Sequence, residues 1–582
     1  MTRMKTPPAK KPLAPVWPIA GIVFICILTY ANSLSGAFVW DDELQIVKNP
    51  EIRSLSNIPA DFTHPFWGFL SPQESRPTNF YRPVQTILYS IGYWLGPLSP
   101  TPDHWISLAL HATACVFLYL ILIQLAISRT ISWIVAALFA VHPVHTEAVA
   151  WIAGVTDLAC GAFYFAALWA FLNFCARMRW TWLVGSSVLY FVALMAKEMA
   201  ITLPLLILLL TFHGGSRITT AAKKLTTITP YLGVTALYLI MRVHALGFFA
   251  TTHARVDASW LDWITLGFLV FGQYIWYSLI PYPLISYHLI AVHLADRAGP
   301  TALAMLPIAV LAATAWRLRA KLPDLWFWLV AFAILLMPVF YFKGISAAFF
   351  AERYLYIPGL AVSVVLATLF SRVPLRWTWY LGGGVIALFA MMSFARNQDW
   401  ASDETLYTKD LQTDPNIAHF QVNLAGILMA RGDDAGTRLH LEAAARALDN
   451  RAFIQQDYER YRTEVGLGAL DARARNYVSA RAHLERALQM YPQGDWGYLY
   501  LGGIALEADH DYAKAVEDFD KAISIDPTNE VARDYLGIAM LNQGKVKEAI
   551  DAFQKALEIN PTDEDARKHL AVAMQSPARS GN

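Results

Sequence analysis

Apolar stretches recur along the first two thirds of the chain, near residues 17–34, 104–127, 131–149, 157–176, 180–197, 198–213, 226–245, 301–316, 325–341, 351–370 and 377–395. A bilayer core needs about 20 helical residues to cross it, so the pattern predicts about eleven transmembrane helices, the shorter stretches being marginal. Two further apolar stretches, 83–97 and 260–281, are broken by Pro or rich in Trp and Tyr. They are expected to lie along the membrane surface as helices. After Arg396 the long apolar runs stop, and amphipathic segments separated by polar turns replace them.

Those segments repeat. In "ARAHLERALQMYP", "AVEDFDKAISIDP" and "AIDAFQKALEINP" the positions Ala487, Ala522 and Ala556 recur, as do Pro492, Pro527 and Pro561, at steps of 35 and 34 residues. This is the tetratricopeptide period: a helix pair per repeat, small residues where the helices touch, and Pro at the turn. A weaker signal from Asn416 to Gly468 predicts one or two degenerate repeats. The expected fold is therefore all-α, with a polytopic membrane domain over residues 1–396 and a tetratricopeptide α-solenoid over 397–582. Arrays of this kind hold an extended peptide or a partner on their concave face, or serve as spacers.

Composition sharpens the division. The 582 residues are 56% hydrophobic and 16% charged, with a mean hydropathy of +0.37, which excludes an ordinary soluble protein. Up to Arg396 there are 26 Lys and Arg against 15 Asp and Glu; after it there are 20 against 30. This balance excludes a nucleic-acid binder built on a general basic field. Cys26, Cys115, Cys160 and Cys175 all lie in apolar stretches, so the repeat region has neither a disulfide framework nor a thiolate zinc site.

The basic residues ahead of the first apolar run, with no small-residue cleavage site after it, make that run an uncleaved anchor. Orientation follows from the loops that carry Lys and Arg. With the N-terminus cytoplasmic and the two surface stretches not crossing, the cytoplasmic loops hold Arg3–Lys11, Arg129, Arg177 and Arg179, Arg217–Lys224, Arg317–Lys321 and Arg372–Arg376. An odd number of crossings then leaves everything after Arg396 on the opposite side. The expected setting is a bacterial inner membrane with the repeats in the periplasm, or an endoplasmic reticulum with the repeats in the lumen.

Ionisable groups at membrane depth or in the outer loops are costly and hence candidates for function. Asp41 and Asp42 follow the first span directly. Adjacent carboxylates raise each other's pKa, which suits one of them to take a proton from a hydroxyl; a helix cap or a solvated charge pair is the plainer alternative. "HPVHTEAVAWIAGVTD" brings His142, His145, Glu147 and Asp157 to the same side. His142, His145 and Glu147 are candidate ligands for a divalent metal cation, although His-x-x-His offers no fixed fourth ligand and such histidines commonly sit at helix ends. Arg82, Lys197 and Arg353 are outer cations, with Glu198, Glu352 and Tyr354 beside them, placed to hold an anionic lipid headgroup or to form structural ion pairs. No Gly-rich phosphate loop follows a strand, so an activated donor would be carried by lipid and not by a soluble nucleotide.

Together "FVWDDELQIVKNPEI", "YRPVQTILYSIGYWLG", "LFAVHPVHTEAVAWIAGVTDLA", "MAKEMAITLP" and "FAERYLYIPG", followed by repeats, resemble the transmembrane and tetratricopeptide-repeat O-mannosyltransferase-like family, C-type glycosyltransferases that use polyprenyl-phosphate sugars. The motifs occur in family order and cover essentially the whole chain. The resemblance implies that Asp41 or Asp42 is general base for an acceptor hydroxyl in an inverting displacement at the anomeric carbon, with lipid phosphate leaving. It implies that Arg82, Lys197 and Arg353, with Tyr354, meet that phosphate. It also implies that mannose is the sugar, that the acceptor is a protein or peptide held by the repeats, and that 83–97 is a surface helix. Animal members carry more repeats than this chain. Two other classes remain open: a non-catalytic membrane-anchored repeat scaffold for assembly of envelope or secreted proteins, and a lipid-saccharide transporter. Against the transporter, the spans show no internal two-fold repeat.

Overall fold

Helices form at each position where the apolar pattern predicts a crossing, and no strand occurs among the described residues. The computed structural model describes residues 16–70, 79–212, 221–249, 258–319, 321–342, 349–450 and 456–575; the basic positions from Arg3 to Lys11 and Arg217 lie outside them. The chain divides into two compact units, Met1–Phe69 with Pro77–Lys409, and Leu70–Arg76 with Asp410–Asn582.

The first unit holds α1 (Val16–Tyr30), α2 (Pro83–Leu95), α3 (Pro100–Gln124), α4 (Arg129–Ala140), α5 (Val155–Arg177), α6 (Trp180–Ala196), α7 (Leu203–Phe212), α8 (Ala221–Leu246), α9 (Trp260–Leu279), α10 (Ala298–Leu318), α11 (Pro323–Leu336), α12 (Gly359–Phe370) and α13 (Leu375–Asn397), and α14 (Asp403–Thr413) begins in it. At its centre α5 packs against α3 and α6. Ala159, Gly161, Ala162, Ala166, Ala167 and Ala170 leave room for this, since small residues let helix backbones approach closely. A Cβ on Gly161 would stand 2.4 Å from the Tyr356 ring. Outer helices present apolar side chains away from the core: Phe24 and Leu28 on α1, Leu303 and Val310 on α10, Tyr380 and Leu388 on α13 are exposed. An apolar outside around a small-residue inside is the arrangement of a bundle in lipid.

Among the described residues, five helical stretches are long and apolar enough to cross a bilayer: Val16–Ser35, Pro100–Gln124, Ile152–Arg177, Ala298–Arg317 and Leu375–Trp400. Arg129–Ala140 with Pro143–Ala150 makes a sixth if the pair, bent by 50° at the break, is one span. Of the other expected spans, 226–245 falls within the 26-residue α8, and the rest are shorter apolar helices with the 3-10 turns Glu198–Thr202, Met337–Phe340 and Glu352–Leu355 at their ends. Two of these turns carry motif charges. The stretch 83–97 forms α2 and 260–281 forms α9. Trp263 on α9 packs against Phe342 and Phe349, and Tyr274 stacks on Phe350 at 4.5 Å.

The second unit is a series of helical hairpins: α15 (Ala418–Ala430) with α16 (Asp434–Asn450), α17 (Gln456–Arg473) with α18 (Tyr477–Met490), α19 (Asp495–Glu507) with α20 (Tyr512–Ile525), α21 (Glu530–Asn542) with α22 (Val546–Ile559), and then α23 (Glu564–Gln575). The period has a packing cause. Gly468, Gly502 and Gly537 each face a large side chain of the next helix, Leu484, Phe519 and Phe553, and a Cβ would come within 2.7, 2.7 and 2.5 Å of them. Ala480, Ala487, Ala515, Ala522, Ala549 and Ala556 are fully buried. The weak stretch from Asn416 folds as α15 to α17, with Gly466 of α17 against Leu441 of α16.

Candidate active site

The motif residues lie beyond the ends of α1, α4 and α6, in the first turn of α5, and just before α2 and α12, and the structure brings most of them together. Lys197 Nζ stands 2.7 Å from both carboxylate oxygens of Asp157, and both side chains are 5% exposed or less. The Arg353 guanidinium pairs with Glu147, and its backbone N–H donates to the other Glu147 oxygen at 2.8 Å. Its Nε lies 4.0 Å from Asp157. Arg82 binds Glu198 through both arms, at 2.7 and 3.3 Å. Tyr354 ties the group together, with Lys197 Nζ 4.9 Å and Arg353 Cζ 5.2 Å from its ring centre. Arg82 is within electrostatic reach of Asp157 and Tyr354. Three cations and three carboxylates thus form one cluster. Glu198 is its most open carboxylate, with a side chain 38% exposed.

Asp41 and Asp42 divide their work. Asp42 is buried, and its two oxygens accept from Val39 N at 3.0 Å and from Ala153 N at 2.8 Å. Burial pushes its carboxyl well above the ordinary range; the two N–H bonds oppose this, and neighbouring Asp41 and Asp103 add to it. Asp41 is half-buried, with Gln45 Nε2 at 3.5 Å. The turn carrying them is built around Trp40, whose φ of 59° lies in the left-handed region that side chains other than Gly rarely adopt. Such a conformation costs of order 1–3 kcal/mol and persists only where its surroundings over-determine it. The surroundings do so here. Trp40 stacks on Trp151 at 5.5 Å, Trp151 Nε1 donates to Val39 O at 3.2 Å, and Ala37 N donates to Ala401 O at 3.1 Å. Trp151 also links the two halves of the site, since Arg353 Cζ lies 5.2 Å from its ring centre.

Other candidates are placed elsewhere. Glu352 faces away from the cluster, with Arg396 NH2 3.3 Å from both its oxygens and His288 Nε2 at 3.6 Å. His142 Nε2 is 3.4 Å from Ser278 O, and its Nδ1 accepts from Val144 N at 3.3 Å. His145 is buried among Phe139 and Tyr356. With Glu147 held by Arg353, the three metal candidates do not converge on a common point. Among the described residues, one trio of metal-ligand types comes within 4.8 Å, Cys26, His111 and Cys115. The two His111 nitrogens there lie 2.9 Å from Tyr356 Oη and 3.0 Å from Ala140 O, which leaves no lone pair for an ion.

The sequence reading missed Trp151, Arg396 and the 400–403 turn. Trp151 sits inside a quoted motif, and Arg396 is the last charge before the polar region, so both carried a signal. The turn carried none.

Tetratricopeptide-repeat family models match residues 465–530 and 506–572. The chain is similar to the human protein O-mannosyl-transferase TMTC3, 25% identical over 88% of this chain and 64% of that one. It is similar to the Caenorhabditis elegans protein O-mannosyl-transferase F38B6.6, 26% identical over 72% of this chain and 60% of the relative. Mouse TMTC4, a protein of the same description, is 31% identical over 33% of this chain and 28% of its own length. The chain thus spans less than two thirds of the length of these curated relatives.

Proposed function

We propose that this chain, whose likenesses support a transmembrane and tetratricopeptide-repeat O-mannosyltransferase-like family, is a membrane glycosyltransferase that moves one mannose from a polyprenyl phosphate to a protein or peptide hydroxyl. Asp41 is the base. It is the more open acid of the pair, whereas both oxygens of Asp42 are taken by backbone N–H groups. The acceptor oxygen gives its proton to Asp41 and bonds to the anomeric carbon as the bond from that carbon to the phosphate oxygen breaks, inverting the configuration. Arg82, Lys197 and Arg353 offset the charge that develops on the departing phosphate, and Tyr354 lies between them. The carboxylates that hold these cations keep them in place while the donor is absent, and Glu198 is the one most readily exchanged for a phosphate. The repeats hold the acceptor, and the site faces away from the cytoplasm.

The observation that supports this reading most strongly is the meeting of the three cations around Tyr354 and Asp157, joined through Trp151 to the turn that bears Asp41. Transfer is favoured over a non-catalytic scaffold because the relatives that match most of the chain carry transferase names. The test supplies the full chain in micelles with labelled polyprenyl-phosphate mannose and a Ser/Thr peptide. Label should reach the peptide, Asp41→Asn should abolish transfer, and Arg82→Ala should raise the donor KM or lower turnover by about tenfold or more. Full transfer by Asp41→Asn would remove the proposed base.

A further inference from the structure

The left-handed Trp40 poses a question that the stacked rings do not answer: what holds its N–H? That group donates to Asp403 Oδ1 at 2.7 Å, across 363 residues of sequence. Asp403 stands at the start of α14, where an aspartate would ordinarily serve its own helix. Here Ser402 does that, its Oγ accepting from Thr405 N at 3.3 Å and its backbone carbonyl from Leu406 N at 3.0 Å. The carboxylate oxygen of Asp403 is left to reach residue 40. The same short segment makes a second backbone bond to the turn, Ala37 N to Ala401 O, and Trp400 stacks on Trp151 at 5.7 Å on the way. Residues 400–403 therefore grip the loop that carries Asp41 at two places, and at a third they hold Trp151, the ring on which Trp40 stacks. One of these is a charge-assisted bond to the N–H of the residue immediately before Asp41.

We propose that Asp403 is a positioning residue: by accepting the Trp40 N–H it locks the left-handed turn that aims Asp41. The inference rests on the reading of Asp41 as the base and adds to it a residue outside every motif that the sequence displays. Trp151 stacks on Trp40 and, with Asp42 N, holds the carbonyl end of the 39–40 peptide at Val39 O, at 3.2 and 3.1 Å. The Asp403 bond holds the N–H end of the same peptide. Without that bond, a bulky residue at positive φ relaxes toward ordinary backbone angles, and the carboxyl of the next residue swings with it. A base displaced by about 1 Å loses rate without losing substrate affinity.

The experiment uses the full chain in micelles with polyprenyl-phosphate mannose and a Ser/Thr peptide, together with hydrogen exchange of the peptide that contains Trp40. Asp403→Ala is expected to lower kcat roughly 10- to 100-fold with donor KM unchanged, and to speed exchange at Trp40 about tenfold or more. Asp403→Asn keeps the accepting Oδ1 and is expected to restore most of the turnover and the slow exchange; a residue needed only for its charge would not be rescued this way. Asp403→Glu, which keeps the charge and moves the acceptor by one methylene, is the companion variant should the alanine form fail to fold, and is expected to lower kcat in the same sense. Unchanged kcat in both Ala and Glu forms, or unchanged exchange at Trp40 in both, overturns the proposal. A parent chain that transfers no sugar overturns the base assignment instead, and slow Trp40 exchange that depends on the Asp403 acceptor then still supports the lock.

Discussion

Replacing Asp42 and Asp41 one at a time by Ala should separate a residue that holds the loop from one that reacts. Asp42→Ala orphans two buried donors, Val39 N and Ala153 N, now bonded at 3.0 and 2.8 Å. An unsatisfied buried N–H costs roughly 1–3 kcal/mol, so the pair costs roughly 2–6 kcal/mol. Relief of the burial that pushes the Asp42 carboxyl up offsets part of this. A net loss of about 3 kcal/mol is expected at neutral pH, close to a 150-fold shift in the folding equilibrium. The sign of its pH dependence follows from the same cause. With a folded pKa above the unfolded one, the contribution of Asp42 is fully present below about pH 4 and lost as pH rises through the raised value; the gap between parent and variant is therefore widest in acid. Asp41→Ala removes a half-buried carboxyl and should change stability by about 0.5 kcal/mol or less while abolishing transfer. The assay is unfolding of the full chain in mixed micelles by titrated SDS, read by tryptophan fluorescence at pH 5 and pH 8, beside transfer of labelled mannose. An Asp42→Ala chain within about 0.5 kcal/mol of the parent, or an Asp41→Ala chain that unfolds as early as Asp42→Ala, would refute this division of roles.

Lys197→Met should destabilise the same unfolding transition by about 3–5 kcal/mol, since it strands a buried carboxylate, and adding Asp157→Leu should recover most of the loss; a double variant no more stable than the single would show that the pair is not the source. Burial, with Glu51 adding its charge and His64 opposing, pushes Asp61 up to about 7. Its contribution is therefore present below about pH 4 and lost as pH rises through about 7. Asp61→Asn should match the parent at pH 4 and be the more stable of the two at pH 8, and equal stability at both would contradict the shift.

The repeats were legible because their cause is local and periodic. Gly468, Gly502 and Gly537 must be small where Leu484, Phe519 and Phe553 press on them, and a constraint renewed every 34 or 35 residues writes itself into the sequence. The helices of the first unit were legible for a similar reason: long apolar runs leave the backbone no partner but itself. Their lengths were less legible. Hydropathy averages over the 3-10 turns at Glu198–Thr202 and Glu352–Leu355, whose charged residues are folded inward onto partners far away in the chain.

The site divides along the same line. Residue types and motif order pointed to Asp41, Asp42, Arg82, Lys197 and Arg353, because charges near apolar segments are costly, and the family resemblance added Tyr354. Which carboxylate each cation takes, that Glu352 turns instead to Arg396, and that Glu147 goes to Arg353 and not to a site shared with His142 and His145 were decided by folding. So was the difference between two adjacent aspartates, identical in type, of which Asp42 is the buried one, its two oxygens accepting from backbone donors of residues 39 and 153. Sequence determined what chemistry the chain carries and the period at which its helices pack, since both depend on residues near one another. Tertiary structure decided which of those groups are engaged and which are open, because a hydrogen bond spanning 363 residues, from Trp40 to Asp403, leaves no pattern in the residues beside either end.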